Sequence, residues 1–174
     1  YLLTAILGLA AVTLTGRRFV QVLIIAGALA VMALVYWCIS KQAGTFMLLN
    51  FSGAYMMNQT LKNIFCVSRP FLRDTRLHPY TEATGYSFPS GHTQNAVSVL
   101  GCPARSYKNL WLRIGCIALI LLTGLSRMYL GVHTPLDVGV SLAIGTVLVF
   151  AVYPLFKKAE ENPKFMYGTL TALI

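Results

Sequence analysis

Three short stretches of this chain hold most of its potential for chemistry. Lys62 with Arg69-Pro70 is the first, Pro89-Ser90-Gly91-His92 the second, and Ser126-Arg127 with His133 and Asp137 the third. They gather three fixed cations, two imidazoles and a carboxylate. His133 and Asp137 stand four apart, a spacing that stacks side chains on one helix face. A carboxylate that accepts the N–H of one ring nitrogen fixes the tautomer and leaves the other nitrogen as a nucleophile. His92 is then free to give a proton to a leaving oxygen. One imidazole attacking and another protonating is the division of labour that phosphate-ester cleavage needs. Lys62, Arg69 and Arg127 can hold the charge that spreads over the equatorial oxygens in the transition state. Two of the three are guanidiniums, whose planar fork grips phosphate through two bonds at once. Ser90, Gly91 and His92 open a helix, and a helix start offers free amides and a positive dipole end to an anion. Gly91 lets a phosphate approach the backbone closely.

The elements that must position these groups are apolar. Charged residues make up only 11% of the 174-residue chain and hydrophobic ones 56%, and its mean hydropathy is +0.66. Soluble domains carry about 25% charged residues, so the composition describes a membrane protein. Residues 1–16 form an apolar run short of the roughly 20 residues a span requires; the first and last segments are therefore expected to be incomplete. Arg17-Arg18 follows that run and does not precede it, which argues against a signal peptide. Residues 19–40 are the cleanest span, with Tyr36 and Trp37 as interfacial anchors, and Lys41 to Gly44 make a short turn. A more polar third span covers 45–66, and 67–88 are the one long loop. A weaker fourth helix runs over about 90–104 and breaks near Pro103. Spans at 109–130 and about 135–156 follow, with Pro135 in a first helical turn, where its missing N–H costs nothing. Residues 165–174 read as a terminal anchor or the start of a seventh span. The expectation is one domain over 1–174, an all-α polytopic membrane bundle of about six transmembrane helices.

Alternating spans bring the chemistry together. The third span ends, the fourth begins, the fifth ends and the sixth begins on the same membrane face. All three stretches then converge there, although 75 positions separate Lys62 from Asp137. Buried charge is costly in a membrane, roughly 2.5–3.5 kcal/mol for Arg, Lys or Asp at a helix centre. A polar site at the lipid–water boundary is where such a cluster belongs.

Lys-x6-Arg-Pro, Pro-Ser-Gly-His and Ser-Arg-x5-His-x3-Asp together resemble the three-part signature of the type 2 phosphatidic acid phosphatase superfamily. That superfamily includes integral lipid phosphatases, undecaprenyl-pyrophosphate phosphatases, glucose-6-phosphatase-like enzymes, soluble acid phosphatases and vanadium haloperoxidases. Every signature position is filled, across residues 62–137. The resemblance implies that His133 forms a phosphohistidine, Asp137 orients it and His92 protonates the leaving group. It also implies that Lys62, Arg69, Ser90, Gly91 and Arg127 bind phosphate.

The expected activity is metal-independent, cofactor-free hydrolysis of a lipid phosphomonoester or pyrophosphate. Phosphatidate, phosphatidylglycerol phosphate, lipid A phosphate and undecaprenyl pyrophosphate all suit one cationic cradle. A phosphotransferase would share the phosphohistidine and differ only in the acceptor. A transporter or scaffold keeping a phosphate pocket is disfavoured, because no charge lies mid-span as a transport path would want. A haloperoxidase is disfavoured by the apolar spans. The net charge of +9 sits between apolar runs, which points to phospholipid headgroups and an anionic substrate. There is no basic stripe interleaved with aromatics for nucleic acid. Cys38, Cys66, Cys102 and Cys116 lack zinc spacing and read as small apolar residues. Asn58 and Gln59 suit interhelical hydrogen bonding better than orientation of Lys62. Arg73, Arg76 and His78 read as solvated loop residues, and Ser126 as a packing or capping residue. Discounting the phosphate-binding cations, the basic residues favour a site that faces away from the cytoplasm, and the resemblance to envelope lipid phosphatases implies a bacterial plasma-membrane protein.

Overall fold

The computed structural model describes residues 17–74, 76–80 and 83–161. The expected segments at 1–16 and 165–174 lie outside these residues. Those described are helical, without strands. The helices are α1 (Arg17–Leu34), α2 (Lys41–Phe65), the single-turn α3 (Pro70–Arg73), α4 (Gly91–Ser106), α5 (Leu110–Tyr129) and α6 (Pro135–Glu161); a π-helical turn, Val35–Ile39, follows α1. The described residues fall into two compact units, the first ending at Gly44 and the second beginning at Thr45.

In the first unit the chain turns earlier than expected. Lys41 to Gly44 are the opening turn of α2, and the break lies at Val35–Ile39 and the extended Ser40. Ser40 explains the shift: its hydroxyl accepts from Ala43 N at 3.3 Å and its carbonyl from Gly44 N at 3.0 Å, as a helix N-cap does. Gly44 is required there, since a Cβ would stand 2.5 Å from that of Tyr36. Trp37 is exposed, as an interfacial anchor should be.

In the second unit α4 lies at the centre, packed against α5 and α6. Gly145 of α6 sits so close to α4 that an added Cβ would come within 2.8 Å of Val97. Gly124 of α5 faces Val138 of α6 in the same way, also at 2.8 Å. Small residues at such crossings let helices approach where lipid supplies no hydrophobic drive. From the α2 side, Asn58 Nδ2 donates to Gln94 Oε1 (2.7 Å), Gln94 Nε2 to Ala54 O (3.1 Å), and Asn50 Nδ2 to Ser98 O (3.3 Å). A central helix shielded from lipid can carry these polar side chains, which is why α4 reads as weak. It also continues through Pro103 to Ser106 instead of breaking near it.

Among the described residues two helices are long and apolar enough to cross a membrane, Leu110–Tyr129 and Pro135–Lys158. α2 has 25 residues, roughly 37 Å at the rise of an α-helix. Its polar face toward α4 lowers its hydropathy, so the expected count of about six spans is not reached on hydropathy alone. Leu119, Leu122 and Leu125 of α5 and Val147 and Phe150 of α6 point outward, as lipid-facing side chains do.

Candidate active site

The groups singled out by sequence gather at one end of the second unit. His133 lies in the connection between α5 and α6, and Asp137 in the first turn of α6. The Thr134-Pro135-Leu136-Asp137 sequence is a capping box with proline at the first helical position. Asp137 N donates to Thr134 Oγ1 at 3.2 Å, and Asp137 Oδ2 accepts from Thr134 N at 2.8 Å. The same Oδ2 stands 3.6 Å from His133 Nδ1, and both side chains are buried. With Nδ1 turned to the carboxylate, Nε2 is the nitrogen left for chemistry. Burial holds the His133 imidazole below its ordinary pKa; the hydrogen bond to Asp137 pulls the other way, and the charges of Arg69 and Lys62 push with burial. The ring is therefore neutral at neutral pH, with a lone pair on one nitrogen.

Ser87, to which no motif pointed, completes this pair. Its hydroxyl donates to Asp137 Oδ2 at 2.6 Å and lies 3.4 Å from His133 Nδ1. No local pattern marks it, because its partners lie 46 and 50 positions away. Thr134 was not singled out either, although a threonine before proline and three positions ahead of an acidic residue is a local cap signal.

The loop 67–90 is built around Arg69. Its guanidinium donates to the carbonyls of Thr84 (2.7 Å), Gly85 (3.0 Å) and Val132 (3.1 Å), stitching the loop to the residue before His133. Three of its five N–H groups are thereby engaged, and two remain for an anion. Lys62, in the last turn of α2, donates to Tyr86 O at 3.1 Å. α2 stops at Cys66, whose left-handed φ of 47° ends the helix.

Ser90, Gly91 and His92 begin α4 as expected. Ser90 is fully buried: its amide donates to Asp137 O (3.2 Å) and its hydroxyl pairs with that of Thr93 (3.0 Å). It makes no side-chain cap, so the opening turn of α4 is not closed by its own sequence. Asn58 braces this turn by donating to Pro89 O at 3.5 Å. Its contacts are with α4 and Pro89, the interhelical role expected of it. His92 lies within electrostatic reach of Arg127, His133, Lys62 and Arg69. Arg127 leans on Ser126 Oγ at 3.5 Å. Arg73, Arg76 and His78 are exposed in the loop. A cavity of about 530 Å³ opens near the far end of α4, lined by Val97, Gly101, Arg105, Arg113, Ile117 and Phe150 among others. None of the residues singled out for chemistry lines it.

All of these side chains fall inside residues 42–161, the stretch matched by the PAP2 superfamily. The chain belongs to that superfamily. Among its PAP2 relatives, phosphatidylglycerophosphatase B of Bacillus subtilis (strain 168) is 33% identical over 129 residues, 68% of this chain and 60% of that protein. Undecaprenyl-diphosphatase BcrC of the same organism is 30% identical over 98 residues, 56% of this chain and 50% of that protein. The crystal structure of the transmembrane PAP2-type phosphatidylglycerolphosphate phosphatase from Bacillus subtilis superposes with a TM-score of 0.61. It is 30% identical in sequence, over 82% of this chain and 71% of that one. The chain thus spans less than two thirds of the length of the curated relatives named here.

Proposed function

We propose that this PAP2 chain is an integral membrane phosphatase that hydrolyses a lipid phosphomonoester or pyrophosphate through a phosphohistidine. The observation that carries the reading is His133 with Nδ1 turned to the Asp137 carboxylate and Nε2 free. Nε2 attacks phosphorus, and the bond to the leaving oxygen breaks as His92 gives it a proton. Water then attacks the phosphohistidine, with His92 taking up the proton that it lost. Lys62, Arg69, Arg127 and the amides of Ser90–Gly91 are assigned to the phosphate oxygens, although the Ser90 amide is shared with the Asp137 carbonyl. Relatives named as phosphatidylglycerophosphatase, undecaprenyl-diphosphatase and lipid A 4'-phosphatase support a lipid phosphate substrate. The setting proposed is a bundle of about six spans in a bacterial plasma membrane, with the site on the outward face.

Covalent labelling tests the assignment. With a radiolabelled lipid phosphate, His133→Ala should lose both label and turnover, the latter at least about 10³-fold. His92→Ala should turn over slowly yet still label with a good leaving group. Normal labelling of His133→Ala overturns the proposal. Phosphate released to water, with none passed to added alcohols, separates hydrolysis from phosphotransfer.

A further inference from the structure

We propose that Ser87 is a positioning residue for His133, its hydroxyl bridging the imidazole and the Asp137 carboxylate. This rests on the reading of His133 as the nucleophile.

Three distances carry it. Ser87 Oγ is 2.6 Å from Asp137 Oδ2 and 3.4 Å from His133 Nδ1, whereas His133 Nδ1 and Asp137 Oδ2 are 3.6 Å apart. The shortest lies in the range of a charge-assisted O–H···O⁻ bond, about 2.5–2.7 Å. A serine hydroxyl has one hydrogen, and that contact uses it. Only lone pairs then face the imidazole, so Ser87 can accept from Nδ1 but cannot donate to it. That places the proton on Nδ1 and the lone pair on Nε2, the tautomer the attack requires. The carboxylate acts on the same nitrogen from 3.6 Å, and the hydroxyl is the nearer acceptor at 3.4 Å. The carboxylate Oδ2 is also already occupied by Thr134 N at 2.8 Å.

The hydroxyl is held in place for this task. Ser87 is 1% exposed, and its amide donates to Val67 O at 2.8 Å. Lys62 grips the preceding carbonyl, that of Tyr86, at 3.1 Å. During attack the Nδ1 proton stays on the ring and the serine keeps its hydrogen toward Asp137. The positive charge of the phosphorylated ring stays on the ring and is stabilised by the Asp137 carboxylate, with the hydroxyl dipole between them.

The test uses the full chain in detergent with a lipid phosphate substrate. Ser87→Ala should lower kcat about 10–100-fold, the usual loss for a residue that orients a reacting one, with KM within about twofold. Because Ser87 and Asp137 act on the imidazole as one unit, adding Ser87→Ala to Asp137→Asn should cost no more than about threefold further. A mere packing role predicts multiplicative losses. A fall in kcat under fivefold, a matching rise in KM, or multiplicative losses overturns the proposal. Should Ser87→Ala not fold, as judged by gel filtration and Tm, Ser87→Cys keeps the volume with a poorer donor and is held to the same criteria. Failure of the wild-type chain to release phosphate would instead sink the proposed function before any Ser87 variant is compared.

Discussion

Thr134 and Asp137 cap one another at the start of α6, with Asp137 N donating to Thr134 Oγ1 at 3.2 Å and Thr134 N to Asp137 Oδ2 at 2.8 Å. The oxygen that closes the helix is also the one that faces His133. Stability and chemistry therefore share an atom. Thr134→Ala should destabilise the protein by about 1 kcal/mol, as loss of a helix cap does, and loosen Asp137 enough to lower kcat. Thr134→Ser should restore both. Thermal unfolding in detergent beside phosphate release checks this, and an unchanged Tm in Thr134→Ala would contradict the reciprocal cap.

The chain has three histidines, His78, His92 and His133, few enough for side-chain nitrogen NMR on histidine-labelled protein. Burial lowers the His133 pKa, so the ring should stay neutral as pH falls through the ordinary imidazole value of about 6.5 and take up its proton only below it. The sign for stability is the same: between those two values the unfolded chain binds the proton and the native ring does not, so stability falls as pH falls through that window. Asp137 favours the protonated ring, so Asp137→Asn should move the midpoint lower still. The neutral ring should carry its proton on Nδ1. A midpoint at or above the ordinary value, or a proton on Nε2, would remove the physical basis for attack by this nitrogen.

Much of this arrangement was legible in the sequence because its strongest signals are local or fall at helix ends. The Thr134–Asp137 cap, Pro135 and the α5 and α6 spans can all be read within a few residues. The α2–α4 contact was harder to read. Asn50, Asn58, Gln94 and Ser98 weaken the apolar signal of both helices, yet across the gap Asn58 donates to the Gln94 side chain and Asn50 to the Ser98 carbonyl. The turn before α2 was misplaced because Gly44 resembles a breaker, while its actual role is the close approach to Tyr36. Ser87 was missed for a topological reason: the fold, through Arg69 and the loop it clasps, is what delivers it to His133.

Activity should not depend on a divalent metal. The chain has only five carboxylates, and Asp137 is committed to His133, Ser87 and Thr134. Among the described residues no three His, Cys, Asp or Glu side chains group as a metal site. Lys62, Arg69 and Arg127 can supply the positive charge that a magnesium or two-metal site brings to phosphoryl transfer. Phosphate release should survive a chelator at full rate, and vanadate should inhibit by adopting the trigonal-bipyramidal geometry. Loss of activity in chelator, restored by a divalent ion, would refute the charge assignment.

The last prediction concerns which side of the membrane the site faces. On the expected alternation of six spans, Arg17, Arg18, Lys62, Arg69, Arg73, Arg76 and Arg127 would share the site's face, and Lys41, Arg105, Lys108, Arg113, Lys157, Lys158 and Lys164 would take the other. The raw count is balanced, but it mixes two causes. Lys62 and Arg69 are tied to the loop and the residue before His133, and Arg127 lies in the electrostatic surroundings of His92. Their positions answer to the site and not to membrane insertion. Removing these three leaves four basic residues against seven, and the positive-inside rule then puts the far end of α4, with Arg105 and Lys108, in the cytoplasm. Cysteines introduced one at a time into a chain lacking Cys38, Cys66, Cys102 and Cys116 can read this out with a membrane-impermeant thiol reagent. Leu77→Cys, in the exposed loop beside the site, should react in intact cells, and Ser106→Cys only after lysis. The reverse pattern would put His133 on the cytoplasmic face, and the substrate would then have to be reached from the inner leaflet.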